Sequence, residues 1–259
     1  MLNFAINYMY FITYSFLGWF CESVYCSWIE KKPVNRGFLN GPISPIYGFG
    51  ALILIHFLTP LYAYPTALYV ASVLMTTSLE YISAVILETA FGMKWWDYSD
   101  NKFNYKGRIC LMNSVLFGLM SVVLVYVIHP FIKSLYHFST TVIFVISSVL
   151  MVYLVIDFTV SLITVLKLSG KLKKLAVILQ EMNEKNEEFR AFLAEEIRVR
   201  NDEKIEKLKQ YIESLKEKYN AEQLKGKVME RRIFRAFPDL QSKRYPEQLS
   251  ALKNILKKK

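Results

Sequence analysis

The chain has 259 residues, 53% of them hydrophobic and 15% aromatic, with a formal net charge of +10 and a mean hydropathy of +0.24. An average soluble domain is less apolar than this. The charge is also unevenly placed: residues 1–166 hold 8 Lys+Arg and 7 Asp+Glu, and the remainder holds 24 and 15, which predicts a membrane domain followed by a basic, water-facing one.

In chain order, five stretches reach the roughly 20 apolar residues needed to cross a bilayer. They lie near 4–28, 45–63, 66–91, 109–129 and 140–166. The N-terminal run "MLNFAINYMYFITYSFLGWF" has no basic n-region and no small-residue cleavage site, so it reads as a retained span, not a signal peptide. Loops 29–44 and 92–108 fall on one side and carry Lys31, Lys32, Arg36, Lys94, Lys102, Lys106 and Arg108. The opposite loops carry only Lys133. This bias predicts five spans with the N-terminus outside and the C-terminus in the cytoplasm. Tyr8, Tyr10, Trp28, Tyr62, Tyr64, Trp95, Trp96 and Tyr98 crowd the predicted span ends, as an interfacial aromatic belt does.

Beyond the last span, Leu168, Leu172, Leu175, Leu179, Met182, Asn186, Phe189 and Leu193 recur at three- and four-residue steps. A second series runs Ile205, Leu208, Ile212, Leu215, Tyr219. Both are heptad seams, and the steps of four between Leu193 and Ile205 predict a stutter or bend near 195–204. Such a seam fits either a homo-oligomer formed through 168–219 or a single solvated helix. The organisation expected is an all-α protein: a transmembrane bundle over 1–166, a long amphipathic, coiled-coil-like cytoplasmic helix over 167–223, and a basic amphipathic segment over 224–259. The terminal lysines and arginines are explained by anionic lipid headgroups. With neither a helix-turn-helix nor a zinc finger, nucleic acid is not expected as a partner.

Acidic residues inside spans are costly and tend to face a bundle interior or a wet cavity. Here they are Glu22, Glu80, Glu88 and Asp157. The topology places Glu22, Asn35, Arg36, Glu88, Asp97 and Arg108 at the cytoplasmic half of the bundle, as a polar cavity or as ion pairs tying loops to helix ends. The two Gly/Asn-containing loops are expected to pack on each other. Cys21, Cys26 and Cys110 form no C-x-x-C pair and no metal-ligand spacing, and they read as structural thiols. No metal and no cofactor is expected. No G-x-x-x-x-G-K-[ST], H-E-x-x-H or G-x-S-x-G occurs, so the chain carries no ATPase motif of its own.

"GWFCESVY", "NRGFLNGPISPIYGFG", "WWDYS" with "FNYKGRICL", and "RRIFRAFPDLQSKRY" together resemble the bacterial "Putative ABC-transporter type IV" family, the CmpB-like permeases. By that resemblance the motif positions are Gly18, Trp19, Glu22, Asn35, Arg36, Gly37, Gly41, Pro42, Pro45, Tyr47, Gly48, Trp96, Asp97, Tyr98, Ser99, Gly107 and Arg108. The resemblance implies a transporter membrane subunit in the cytoplasmic membrane, with the lipid bilayer and a separate ATPase or other subunit as partners. Two alternatives stand beside it. One is a non-catalytic scaffold or regulator acting through the coiled coil. The other is an intramembrane enzyme on lipid headgroups, in which Glu22, Glu88 or Asp97 acts as base and Arg36 and Arg108 hold phosphate.

Overall fold

The computed structural model describes residues 2–195, 202–224 and 227–257. The described chain is nearly all helix. Helix α1 spans Leu2–Glu30, α2 Pro45–Leu58, α3 Pro65–Phe91, α4 Leu111–Val123, α5 His129–Leu135, α6 Thr140–Glu195, α7 Asp202–Leu224, α8 Lys227–Ala236 and α9 Pro246–Lys257. Short strands interrupt the α3–α4 connection: β1 at Met93–Lys94, β2 at Asn104–Tyr105 and β3 at Ile109–Cys110. Of these, β2 and β3 pair antiparallel, with Asn104 opposite Cys110 and Tyr105 opposite Ile109.

The chain divides into two compact units. The first comprises residues 1–163 together with 232–241, and the second comprises 164–231 with 242–259. Residues 232–241 therefore return to the bundle instead of continuing the basic tail.

Among the described residues, three helical stretches are long and apolar enough to cross a membrane: Pro65–Phe91, Leu111–Leu135 and Thr140–Ala191. The sequence-based count was five. Pro45–Leu61 is a shorter apolar helix: α2 ends at Leu58, and a 3₁₀ turn at Thr59–Leu61 follows, with Pro60 in it. At about 1.5 Å per residue this stretch is shorter than a hydrocarbon core. Helix α1 is 29 residues long, but polar Asn7, Thr13 and Ser15 and the hydroxyls of Tyr8, Tyr10 and Tyr14 interrupt its apolar run. The fourth stretch was expected to end at residue 129, before Pro130. It continues to Leu135 because the helix widens to π geometry over Leu124–Ile128, a local adjustment that takes up a proline ring and its missing N–H without ending the helix.

Local chemistry sets the helix boundaries. Pro45 and Pro65 sit in the first turns of α2 and α3, where a missing N–H costs nothing. Helix α3 stops at Gly92, whose φ of 66° forms a left-handed cap with its N–H on the Glu88 carbonyl. Helices α1 and α2 cross closely. A Cβ on Gly18 would stand 2.2 Å from the Tyr47 ring, and one on Gly48 would stand 2.2 Å from Ser15 Oγ. Small residues at such contacts let helices approach where lipid offers no hydrophobic drive.

Apolar packing then fixes the bundle. Tyr8, Phe11 and Ile12 of α1 pack with Leu39 and Ile43 of the α1–α2 loop, against Leu150, Met151 and Leu154 of α6. Leu54, Leu58, Leu68 and Val125 join α2, α3 and the π segment. Tyr14, Ala51 and Ile132 join α1, α2 and α5.

In the second unit, α6 and α7 run antiparallel. Tyr211 donates to Glu181, Lys171 Nζ donates to the Gln223 carbonyl at 3.2 Å, and Asn186 and Phe189 share a groove with Glu206, Lys209 and Gln210. Leu168, Leu172, Leu175, Ile212 and Leu215 are buried within the chain. These five belong to the expected seams, and in this structure α6 and α7 of one chain face each other. Ile197 and Asn201, on which the expected stutter turns, lie outside the described residues.

Candidate functional site

The α1–α2 loop, residues 31–44, is held from three directions. From α1, Trp19 Nε1 donates to Asn35 Oδ1 at 2.7 Å, and Asn35 Nδ2 donates onward to the Asn40 carbonyl at 2.9 Å. Ser23 Oγ accepts the Arg36 amide at 3.1 Å. From α6, Asp157 accepts the Asn40 amide at 2.9 Å, the Asn40 side chain at 3.0 Å and the Gly41 amide at 2.7 Å. A Cβ on Gly41 would lie 1.8 Å from the Tyr153 hydroxyl oxygen and 2.9 Å from Asp157 Oδ2, so only glycine lets the loop sit this close to α6.

The third hold comes from the returning segment 232–241. Arg232 Nη1 donates to the Gly37 and Leu39 carbonyls at 3.1 and 2.7 Å, and Nη2 donates to Phe38 O at 2.9 Å. One guanidinium fork thereby satisfies three successive carbonyls that no regular secondary structure pairs.

Arg36 is the hinge between these groups. Its Nε donates to Glu22 Oε1 at 3.2 Å, and Tyr47 donates to the other carboxylate oxygen at 3.0 Å. Its Nη1 donates to the Ala236 carbonyl at 2.6 Å, and its guanidinium lies 5.5 Å from the Phe237 ring centre. Phe237 also stands edge-on to Trp95, 4.7 Å between centroids.

The α3–α4 connection has its own clamp. Arg108 grips Glu88 in bidentate fashion, Nε to Oε1 at 3.1 Å and Nη2 to Oε2 at 2.8 Å, while Nη1 donates to the Tyr81 hydroxyl at 3.2 Å. Trp96 Nε1 donates to the Arg108 carbonyl at 2.9 Å. Asp97 gathers Lys94 Nζ at 2.7 Å, the Ser99 hydroxyl at 2.6 Å and the Ser99 amide at 3.0 Å, and its other oxygen accepts Gln241 at 3.1 Å. Burial pushes the Asp97 carboxyl up, but these hydrogen bonds from Lys94 and Ser99 outweigh it and hold the carboxyl at about 2. Gly107, at φ 64°, lies over this hub. A Cβ there would stand 2.3 Å from Asp97 Oδ1, and the left-handed backbone independently favours glycine. Tyr98 points inward to Glu80 and Asn113, and burial pushes its phenol up.

The structure thus places the six polar candidates in three bonded groups: Glu22 with Arg36, Glu88 with Arg108, and Asp97 with its own hairpin. Asn35 braces the first. The two loops meet through Phe38 and Trp95, 5.3 Å between ring centroids. Of the motif residues, Gly18, Tyr47 and Gly48 form the α1–α2 crossing, and Trp19 and Gly37 lie together beside Asn35. Pro42 faces a small apolar surface hollow with Ile12, Thr13 and Tyr153, and Pro45 opens α2. Sequence reasoning did not single out Arg232, Phe237, Gln241, Lys94 or Tyr81. For Arg232, Phe237 and Gln241 the one sequence signal was the "RRIFRAFPDLQ" run, whose arginines read equally well as a lipid-facing basic face; Lys94 stood only among the loop charges.

A bundle with three bilayer-length apolar helices, intramembrane carboxylates and two polar loops gathered at one end is a multi-pass membrane protein. Residues 9–162 match the family model described as "Putative ABC-transporter type IV", and the chain belongs to that family. The match covers α1 through most of the apolar part of α6 and includes both loops. No curated protein and no solved structure matches the chain.

Proposed function

We propose that the protein is the membrane subunit of a transport system whose energy comes from a separate ATPase. The observation that carries this reading is membership of the transporter-related family over the whole bundle, in a chain whose sequence has no nucleotide-binding loop. The loop charge bias supports five membrane segments with N-terminus out and C-terminus in, in a bacterial cytoplasmic membrane. On that topology both loops and the segment 232–241 face the cytoplasm, where an ATPase would dock. The test is purification of the tagged full chain, co-expressed with its chromosomal neighbours, through size exclusion in mild detergent. Retention of a stoichiometric ATP-hydrolysing subunit is the expected result. Elution of the chain alone, with no ATP-dependent uptake in vesicles that contain it, overturns the reading. A reporter fused after Lys133 checks the topology and is expected on the outer side.

A second reading, a non-catalytic scaffold or regulator acting through the 168–224 helices, draws on a different observation. The candidate polar residues saturate one another: Arg36 is engaged by Glu22 and Ala236, and Arg108 by Glu88 and Tyr81. A phosphate-binding role for either arginine would first require it to release its carboxylate. If Glu22→Gln and Arg36→Ala both fold and leave transport phenotypes intact, the scaffold reading replaces the first.

A further inference from the structure

Three of the four acidic residues in the apolar stretches have strong partners. Glu22 has Arg36 and Tyr47, Glu88 has Arg108, and Asp157 has the Asn40–Gly41 amides. Glu80 is the exception. It is 7% exposed, it lies two turns before Glu88 on α3, and its Oε2 is buried without a hydrogen-bond partner. Among the described residues, no lysine or arginine bonds it. Leaving a carboxylate oxygen bare at this depth is expensive.

The residue one turn earlier on the same face makes the same omission. Ser72, Thr76, Ser78 and Thr89 of α3 each return their hydroxyl to the carbonyl four residues back, at 2.7 to 2.8 Å. Thr77 does not: its buried Oγ1 has no partner. Residues three apart on a helix are neighbours, so the two side chains with unsatisfied oxygens lie on one face of α3, without bonding each other. Tyr98 closes the position from the loop, with its hydroxyl approaching the Glu80 carboxylate and in turn accepting from Asn113 of α4. The elements packed around this face also carry Tyr47, His56, Lys94, Asp97, Arg108 and Cys110. Of these, Tyr47 is bonded to Glu22, Arg108 to Glu88, and Lys94 to Asp97. Tyr98 is the titratable group that meets Glu80.

We propose that Glu80 and Thr77, closed over by Tyr98, form a binding site within the bundle for one small cation, H⁺ or Na⁺. A carboxylate with hydroxyl oxygens around it is a hard-oxygen donor set of the kind such cations prefer. A proton neutralises Oε2, and a Na⁺ ion seated between the two side chains takes an oxygen of each as a ligand. Either occupant neutralises a buried acid that no lysine or arginine among the described residues balances. This site is independent of the ATPase reading and goes beyond it, since it gives the bundle a charge of its own to take up or release.

The test uses a hydrophobic carbodiimide, which modifies carboxyls that carry a proton in apolar surroundings, on the purified full chain in detergent, followed by peptide mass mapping. Glu80 is expected to be modified ahead of Glu22, Glu88 and Asp157, which act as internal controls. Its modification is expected to slow on alkalinisation, by up to about tenfold per pH unit once the carboxyl is mostly ionised. Further slowing by NaCl relative to choline chloride at equal ionic strength identifies Na⁺ as an occupant, and equal rates in the two salts identify the proton alone. Glu80→Gln, which needs no charge balance, is expected to fold and to lose the modified peptide. Absence of modification at Glu80, or a rate indifferent to both pH and Na⁺ as a bound water would give, overturns the proposal.

Discussion

Asp157 of α6 holds the Gly41 amide at 2.7 Å and the Asn40 amide at 2.9 Å, so an acid in an apolar helix caps a loop instead of facing a solute. A carboxylate accepting several N–H bonds is satisfied without a cation. Asp157→Asn keeps the shape but turns one acceptor into an NH₂ donor facing other donors. Hydrogen bonds to charged groups contribute about 1.5–3 kcal/mol each, so the variant should lose at least about 2 kcal/mol of stability. Thermal unfolding in detergent measures this, and an unchanged midpoint would show that the loop holds without Asp157.

Arg232 makes a more localised prediction. Its three bonds to the Gly37, Phe38 and Leu39 carbonyls need a planar fork, which a lysine ammonium does not supply. Arg232→Lys should leave the helices intact while amide exchange over residues 36–41 speeds up by roughly tenfold or more, the equivalent of one lost charged hydrogen bond. Exchange followed by mass spectrometry reads this directly. Equal acceleration throughout α1–α3 would mean global destabilisation and would refute a local latch.

These contacts also show what the sequence could reveal. Helix spacing and the loop charges were visible because each depends on neighbours within a few residues. The pairings Glu22–Arg36 and Glu88–Arg108 were anticipated only as a neighbourhood, since opposite charges on one side of a bundle leave the choice of partner open. Arg232 on the Gly37–Leu39 carbonyls joins positions almost two hundred residues apart. No periodicity encodes that, and a basic run beside a membrane offers lipid headgroups as an equally good explanation. The antiparallel α6–α7 pair was hidden for a related reason: a heptad seam records that an apolar face will be covered, and it does not say by which helix. Asp157 was flagged as an intramembrane acid, but its partners are backbone amides, which every sequence supplies and none advertises.

Asp97 sets a pH dependence. Its folded carboxyl titrates at about 2, below the ordinary value of 3.8. A depressed carboxyl contributes stability that is fully present above the ordinary value and is lost as pH falls through the folded one. The 93–110 hairpin should therefore loosen between about pH 4 and pH 2, seen as rising amide exchange at Ser99 and Gly107. Asp97→Asn should remove that pH step and show fast exchange there at neutral pH. A hairpin in the variant that is as protected as the parent at neutral pH would show that the Asp97 hub is not what orders it.

In the second unit, Lys171 Nζ lies 2.9 Å from both oxygens of Glu230, and the two side chains are 6% and 8% exposed. Burial pushes the Glu230 carboxyl up, and the Lys171 contact opposes that push. Removing one member strands the other charge in a dry site, which typically costs about 3–5 kcal/mol. Replacing both with apolar residues of similar volume is often neutral or stabilising. Lys171→Met alone should therefore destabilise the unit strongly, while Lys171→Met with Glu230→Leu should recover most of the loss. The double-mutant cycle, read from unfolding monitored by helix signal in the 164–231 region, separates these cases. If the double variant is as unstable as the single, Lys171 acts chiefly through its 3.2 Å bond to the Gln223 carbonyl, and the α6–α7 pairing depends on that backbone contact more than on the ion pair.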